Sequence, residues 1–392
     1  MRKGGSRDHE EDKNSQYFHN RFWLNRKIEN VIGYFCEIYV SGLFTLAKHY
    51  HLKFNCLFYS FIVPAFNRPD EVEELLNSFV QLSLPSSGFN GFEVIFADGS
   101  PTDVLAPIIT SFTSKVKVVH LHRPRLAISP SRNLGAEHAT GDYLIFLDSD
   151  VILPPSYLLN LHASLSSNPI DAFGGPDAAH ASFTPIQKAI SFAMTSYLTT
   201  GGIRGGKKQL HQYNPRGFNM GIKKSVFNQV NGFSSMTCGE DIELSIRILE
   251  AGFKINLIPE VFVYHKRRST FKSFFRQVFR FGAARVNIFY RHRDQLKITH
   301  LFPSVFLLFL LSGFASAFVS LSLFQLFLLV AGIYYASIFV SATVQEKSLY
   351  VGLLSIVSST CQLCGYGAGF LSNAFEVFVK GNTNGINLGA SK

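Results

Sequence analysis

The apolar positions of this chain follow two regimes that meet near residue 300. From Leu57 onward, short and mostly apolar runs alternate with amphipathic stretches. Residues 58–64 (FYSFIVP) read as a fully buried strand closed by Ala65-Phe66-Asn67-Arg68-Pro69. Residues 70–81 predict a helix, with Val72, Leu75, Leu76 and Phe79 on one face and acids in the first turn. Further strands are expected at 92–97, 116–120, 143–147 and 261–263, with helices opening near Arg132 and at Asp241. This alternation argues for a parallel or mostly parallel sheet, and it weakens after Gly174. The second regime is different. Residues 301–344 contain no charge at all, enough for two membrane spans, and 349–371 can make a third.

The stretches flanking these regimes refine the layout. Residues 1–20 are polar and predict disorder. Within 21–56, residues 31–47 are apolar and aromatic but carry Glu37, which suits a helix lying on a membrane surface. In 266–300, Phe271, Phe274, Phe275, Val278 and Phe281 share one helical face, with Lys272, Arg276 and Arg280 on another. An aromatic stripe beside a basic one predicts an interfacial helix, the alternative being plain core packing. The alternating strand-and-helix region is therefore placed at 57–265, the spans at 301–375 and a loose tail at 376–392.

Composition narrows the classes. Among 392 residues, 47% are hydrophobic and 39 are Phe, which suits a water-soluble piece joined to a membrane piece. The net charge of +10 could suggest nucleic acid, but much of the excess lies between Lys266 and Lys297, just before the longest apolar run. That is the pattern of the cytoplasmic side of a membrane protein, and no nucleic-acid partner is expected. Five scattered cysteines make no disulfide framework, and Cys361 and Cys364 read as packing residues.

The candidate chemistry gathers at strand ends. Residues 141–151, GDYLIFLDSDV, are a buried strand ending in Asp148-Ser149-Asp150. In an open α/β sheet, ligands sit beyond the carboxyl ends of the strands. Two carboxylates one residue apart there can reach one divalent cation and bridge it to a diphosphate, unless they are simply solvated acids. The same edge holds Pro64, Phe66 and Asn67, then Asp98 and Ser100; Asp98 could accept hydrogen bonds from a base or ribose. Arg132 and Asn133 open a helix nearby, where Arg132 could meet a phosphate or serve as a structural ion-pair partner. Glu240 and Asp241 open another, either as helix-capping acids or with Asp241 as a general base. The 234–238 loop before them could close over the site. His265 is a candidate third metal ligand. The glycine-rich 201–206 loop is expected near the acceptor, and Gly174-Gly175-Pro176-Asp177 near the donor pocket.

With these residues laid out, the chain resembles the family 2 glycosyltransferases of the GT-A fold over roughly residues 58–285. The matching pieces are FIVPAFNRPDEVEELLNSF, EVIFADGSPTD, SRNLGAEHATGDYLIFLDSDV, FNMGIKKSVFNQVNGF, GEDIELSIRILEAGFKI and VYHKRRSTFKSFFRQVFRFG, in that order. The resemblance implies an α/β, Rossmann-like catalytic domain followed by transmembrane helices. It implies inverting transfer from a nucleoside-diphosphate sugar, with Mg2+ or Mn2+ at Asp148 and Asp150, nucleotide contacts from Asp98, and Asp241 as base beside Glu240. Two departures stand out. Ala97 precedes Asp98 where the family often has a second acid, and Gln277-Val278-Phe279-Arg280-Phe281 nearly matches the Q-x-x-R-W of processive synthases, with Phe for Trp. Gln277 and Arg280 join the donor-binding candidates on that basis. The expected partners are a UDP- or GDP-sugar, a lipid-linked or membrane-proximal acceptor, and membrane lipids. The expected setting is multi-pass, in a bacterial inner membrane, with the catalytic domain cytoplasmic. A processive polysaccharide synthase and a non-catalytic synthase subunit are the alternatives.

Overall fold

The computed structural model describes residues 56–178, 180, 182–200 and 213–383. The expected disordered N-terminus, the surface helix at 31–47, the glycine-rich 201–206 loop and the end of the tail lie outside the described residues.

Strand β1 (Leu57–Ala65) organises the rest because both its faces are apolar. Tyr59, Phe61 and Val63 enter one core and Ile62 the other, the alternation of a strand covered on both sides. β2 (Phe89–Asp98) pairs with it in parallel on one flank and β4 (Tyr143–Leu147) on the other, while β3 (Val118–His122) extends the sheet beyond β2. Past β4 come β8 (Asn219–Lys223), β6 (Ala172–Gly174) and β9 (Ile255–Leu257), giving the order β3-β2-β1-β4-β8-β6-β9. Only β8 runs antiparallel to its neighbours, so the sheet is mostly parallel as the pattern predicted. A second, three-stranded sheet joins β5 (Val151–Ile152), β10 (Val263–His265) and β7 (Asp177–Ala178), with β10 in the middle.

Helix Pro69–Val80 buries Val72, Leu75, Leu76 and Phe79, the expected face, and starts on a proline with Asp70 and Glu71 in its first turn. Two strands lie two residues later than the pattern placed them, at Val118–His122 and Val263–His265. Pairing with β2 and β5 decides those limits, and it brings His122 and His265 into strands. Arg132 does not open its helix but sits in the middle of Ile128–His138. Ile128, Ser129 and Pro130 take the first turn, where a proline costs no hydrogen bond.

The membrane-side expectations need correction in two places. The Phe271–Arg291 helix buries part of its aromatic stripe in protein: Phe274 and Val278 are fully buried against Ile190, Ala193 and Met194, while Phe275 is 38% exposed. Glycines explain the close packing. A Cβ at Gly282 would lie 2.0 Å from the Tyr366 carbonyl oxygen, and one at Gly369 would lie 2.0 Å from that of Phe279. Helix Leu349–Ala374 is thereby seated along the Phe271–Arg291 helix, and Ser358 Oγ donates to the Ala189 carbonyl at 2.7 Å. The second correction concerns the spans. Among the described residues two helices, Leu321–Glu346 and Leu349–Val379, are long and apolar enough to cross a membrane. Phe302–Ser316 has only 15 residues, short of the roughly 20 that a span needs. Leu323, Leu326, Leu329 and Ile333 are all exposed, an apolar surface of the kind lipid covers.

Candidate active site

The direction of strand crossover reverses between β1 and β4, and ligands of open α/β sheets bind beyond the carboxyl ends of strands at such a point. Glu93 fixes this edge from behind. Its Oε1 accepts from Ser60 Oγ, Thr140 N and Thr140 Oγ1, each at 2.7 Å, and Oε2 pairs with Lys117. Gly141 follows, close enough to β1 that a Cβ would lie 2.6 Å from Ser60 N. Glu93 therefore ties β1, β2 and the turn before β4 into one frame. Tyr143–Leu147, buried throughout, then delivers Asp148-Ser149-Asp150 to the edge.

Asp148 and Asp150 are joined there by His265. The antiparallel pairing of His265 with Val151 sets its ring beside Asp150, with Nε2 3.2 Å from Oδ1. One ligand atom from each of Asp148, Asp150 and His265 falls within 4.8 Å of the other two. Two carboxylates and an imidazole suit Mn2+ or Mg2+. Behind them, Asp177 lies 3.9 Å from His265 Nδ1, beyond hydrogen-bond reach, and pairs with Arg267 at 2.5 Å. Arg68 pairs with Asp150 Oδ2 at 2.7 Å. Burial alone would raise the Asp150 carboxyl, but His265 and Arg68 override it and hold it well below the ordinary range. Burial would lower the His265 imidazole, yet Asp150 raises it on balance.

Arg132 links this cluster to the second acidic pair. Only 2% exposed, it donates through Nη2 to Asp148 at 2.9 Å and through Nη1 to Glu240 at 2.6 Å. Its guanidinium lies over the Phe233 ring at 5.2 Å, and Gly217 leaves it room: a Cβ there would lie 2.4 Å from Nη2. Gly239, at φ 82°, turns the chain into helix Glu240–Glu250. The Asp241 carboxylate accepts from Gly217 N at 3.0 Å and Ile242 N at 2.8 Å, which fixes its direction. Burial pushes the Glu240 carboxyl upward, Arg132 draws it down and Asp241 adds to the rise; the net direction is up. Burial pushes the Cys238 thiol up to about 12, leaving it unreactive.

Asp148, Ser149, Asp150, His265, Arg132, Glu240, Asp241, Pro64, Phe66 and Gln277 all open into one cavity of 1260 Å3. The other expected site residues stand off its wall. Asp98 is fully buried, its Oδ1 accepting from Ser100 N and its Oδ2 facing His120 Nε2 at 3.2 Å. Ser100 Oγ accepts from Asn67 N, and Asn67 sits at φ 50°. These three shape the loop that carries Phe66 rather than facing the cavity themselves. Asn133 is engaged with both the N–H and the carbonyl of Phe233, and Arg280 does not reach the wall. The pattern missed Glu93, which frames the edge, and Arg68, Arg216 and Arg285, which line the cavity. For Glu93 a signal existed, an acid in the middle of an otherwise apolar strand. The 234–238 loop contributes Cys238 to the wall, and Asp177 is the acid the Gly174–Asp177 stretch supplies.

Residues 60–230 match the family model described as Glycosyl transferase family 2. Two relatives span most of this layout. The succinoglycan biosynthesis protein ExoA of Rhizobium meliloti is 26% identical over 246 residues, 62% of this chain and 73% of that protein. Glycosyltransferase AglE of Haloferax volcanii is 22% identical over 254 residues, 61% and 77% of the two chains. Among solved structures, mannosyltransferase PcManGT of Pyrobaculum calidifontis, in complex with GDP-Man and Mn2+, superposes with a TM-score of 0.58 at 16% identity. The match covers 81% of this chain and 87% of that one, a likeness of fold.

Proposed function

Because this chain belongs to the family 2 glycosyltransferases, with their GT-A fold, we propose that it is an inverting, metal-dependent enzyme. Its donor is a nucleoside-diphosphate sugar and its acceptor a lipid-linked or membrane-proximal glycan. One observation carries the reading: the Asp148-Asp150-His265 cluster and the oriented Asp241 carboxylate face the same cavity. Two further lines support it. One relative is a succinoglycan biosynthesis protein and another a glycosyltransferase, and PcManGT was solved with GDP-Man and Mn2+.

In this mechanism Asp241 takes the proton from an acceptor hydroxyl as its oxygen forms a bond to the anomeric carbon. The bond from that carbon to the donor phosphate oxygen breaks, and its electron pair leaves with the nucleoside diphosphate, inverting the centre. Asp148, Asp150 and His265 would hold Mg2+ or Mn2+, which when bound neutralises charge on the leaving diphosphate. Arg132 holds Asp148 in place, and Phe66, 51% exposed on the cavity wall, offers a face on which a base can stack. The basic 266–297 stretch beside the apolar helices favours a cytoplasmic catalytic domain on a multi-pass membrane protein.

The test is donor hydrolysis by the detergent-solubilised chain across UDP- and GDP-sugars with Mn2+, Mg2+ or EDTA. Metal-dependent release of one nucleotide, abolished in Asp150→Ala, is expected; hydrolysis that persists in EDTA refutes metal dependence. A processive synthase is the second reading, favoured by Gln277 and Phe281 both lining the cavity at the processive spacing. Product length separates the two.

A further inference from the structure

The cavity continues past the reacting groups. Beyond Asp241 its wall is built from the Phe271–Arg291 helix, residues 298–305 and one side of the Leu349–Ala374 helix. Gln277, Arg285, Thr299, His300, Gln362 and Tyr366 are the polar residues of this far end. Arg285 Nε and Gln362 Oε1 are both buried, and among the described residues neither atom has a hydrogen-bond partner. Of the arginines on the Phe271–Arg291 helix, Arg285 is the one that reaches the cavity wall, so it sets the charge of this end. Gln362 also sits in a helix apolar enough to cross a membrane, where an amide is costly and marks a functional position.

The mouth of this end has the opposite character. Tyr197 and Ile298 line the cavity and are 72% and 85% exposed, and Phe302 and Val305 continue the rim. From Val305 the exposed row runs on through Leu308, Leu311 and Phe314, the outward residues of the Phe302–Ser316 helix. An apolar opening continuous with a lipid-facing helix admits a hydrocarbon chain from the side.

We propose that this end is an anchoring subsite for the lipid carrier of the acceptor, an inference that rests on the lipid-linked reading above. Arg285 donates to an oxygen of the phosphoryl group joining glycan to lipid, and the first sugar lies beside Gln362. The hydrocarbon leaves between Tyr197 and the 298–305 segment. The charge fits: a guanidinium matches a phosphoryl oxygen and stays protonated at any working pH. The position fits as well, because the phosphoryl group would sit at the boundary between the catalytic sheet and the apolar helices, with the sugar directed toward Asp241.

Calorimetric titration of the full chain in detergent tests this with three probes: farnesyl phosphate, farnesol and inorganic phosphate. EDTA is present throughout, so that phosphate cannot bind through a metal at Asp148 and Asp150. Farnesyl phosphate is expected to bind at least about tenfold more tightly than either half alone, and Arg285→Gln to lose about that factor. Arg285→Lys should lose less, and Val305→Asp should weaken farnesol and farnesyl phosphate but not inorganic phosphate. In a separate titration without EDTA, nucleoside-diphosphate binding with Mn2+, within about twofold of the parent, shows that each variant is folded. Inorganic phosphate equal to farnesyl phosphate would mean an anion site with no lipid mouth. Farnesol equal to farnesyl phosphate would mean an apolar groove with no anion site; either result overturns the proposal, as does an unaltered Arg285→Gln. The two readings fail separately. Transfer to lipid-free acceptors alone would sink the lipid-linked reading, whereas lipid-linked transfer undisturbed in Arg285→Gln would sink only the anchoring site.

Discussion

Arg132 bears on both structure and chemistry, and replacing it with methionine separates the two. Its side chain is 2% exposed and its two Nη atoms pair with Asp148 and Glu240. Arg132→Met keeps most of the volume but leaves the two carboxylates, with Asp241 beside them, facing one another without a cation. Removing one partner of a buried ion pair costs about 3–5 kcal/mol, mostly because the other charge stays buried. The two halves are unequal. Asp148 is 31% exposed and can recover water, whereas the Glu240 side chain, 9% exposed, cannot, which favours the lower end of that range. At roughly 2–4 °C per kcal/mol for a domain of this size, Tm should fall by about 6–12 °C. Differential scanning calorimetry of the detergent-solubilised chain reads this directly. Arg132→Met/Glu240→Gln should recover at least half the loss, because the stranded carboxylate is then neutral. A single variant that melts with the parent, or a double variant no better than the single, would refute the account.

The same residue discriminates a positioning role from a phosphate ligand. With both Nη atoms committed to carboxylates, Arg132 acts on the donor through Asp148. Arg132→Lys should then lower kcat by about 10–100-fold, the usual cost of losing a group that orients a metal ligand. Donor KM should move little at saturating Mn2+. A KM rise with kcat intact would make Arg132 a diphosphate ligand instead.

Four further outcomes are expected. Asp241→Asn should lower transfer by about 10^2–10^4-fold with nucleotide binding intact by calorimetry; full activity would remove it as the base. His265→Ala should raise the Mn2+ needed for half-maximal activity by about 10–100-fold, read by metal titration of initial rates, and an unshifted curve would take His265 out of the metal site. Burial alone would raise Glu93, but its bonds from Lys117, Thr140 and Ser60 outweigh this and hold it below its ordinary 4.5. Its stabilisation is therefore complete above that pH and lost as pH falls through the depressed value, so Glu93→Gln should flatten the acid limb of Tm against pH, and an unchanged limb would refute it. Gly369→Val forces a side chain onto the Phe279 carbonyl, where a Cβ alone would lie 2.0 Å away; overpacking should cost about 1–3 kcal/mol or more, and an unchanged Tm would mean that the two helices are not seated as described.

The parts of the site that could be read beforehand are those where one short stretch carries both the element and the chemistry. Tyr143–Leu147 is apolar on both faces, so it must be central, and the acids that end it must lie at the sheet's edge. Asp241 could be read for the same reason, since a glycine and three acids announce a helix start. What stayed hidden depends on residues far apart in the chain. β5 and β10 have two and three residues, too few to show a period, yet their pairing is what sets His265 against Asp150. Asp98 looks like a free acceptor at a strand end until β3 pairs with β2 and lays His120 across it.

The Phe271–Arg291 helix makes the same point energetically. An aromatic stripe of period 3.6 marks a face that must leave water, and it is equally well served by lipid or by protein. The deciding information lies almost 90 residues downstream, in glycines that carry no apolar signal of their own. Gly365, Gly367 and Gly369 let the Leu349–Ala374 helix come within backbone contact of its neighbours. Once that surface is available, burying Phe274 and Val278 in protein gains dispersion contacts that fluid lipid packs less well. That seating also carries Gln362 and Tyr366 to the cavity wall. The Leu349–Ala374 helix and the central sheet therefore share one cavity, and glycines that bear no functional group decide its shape.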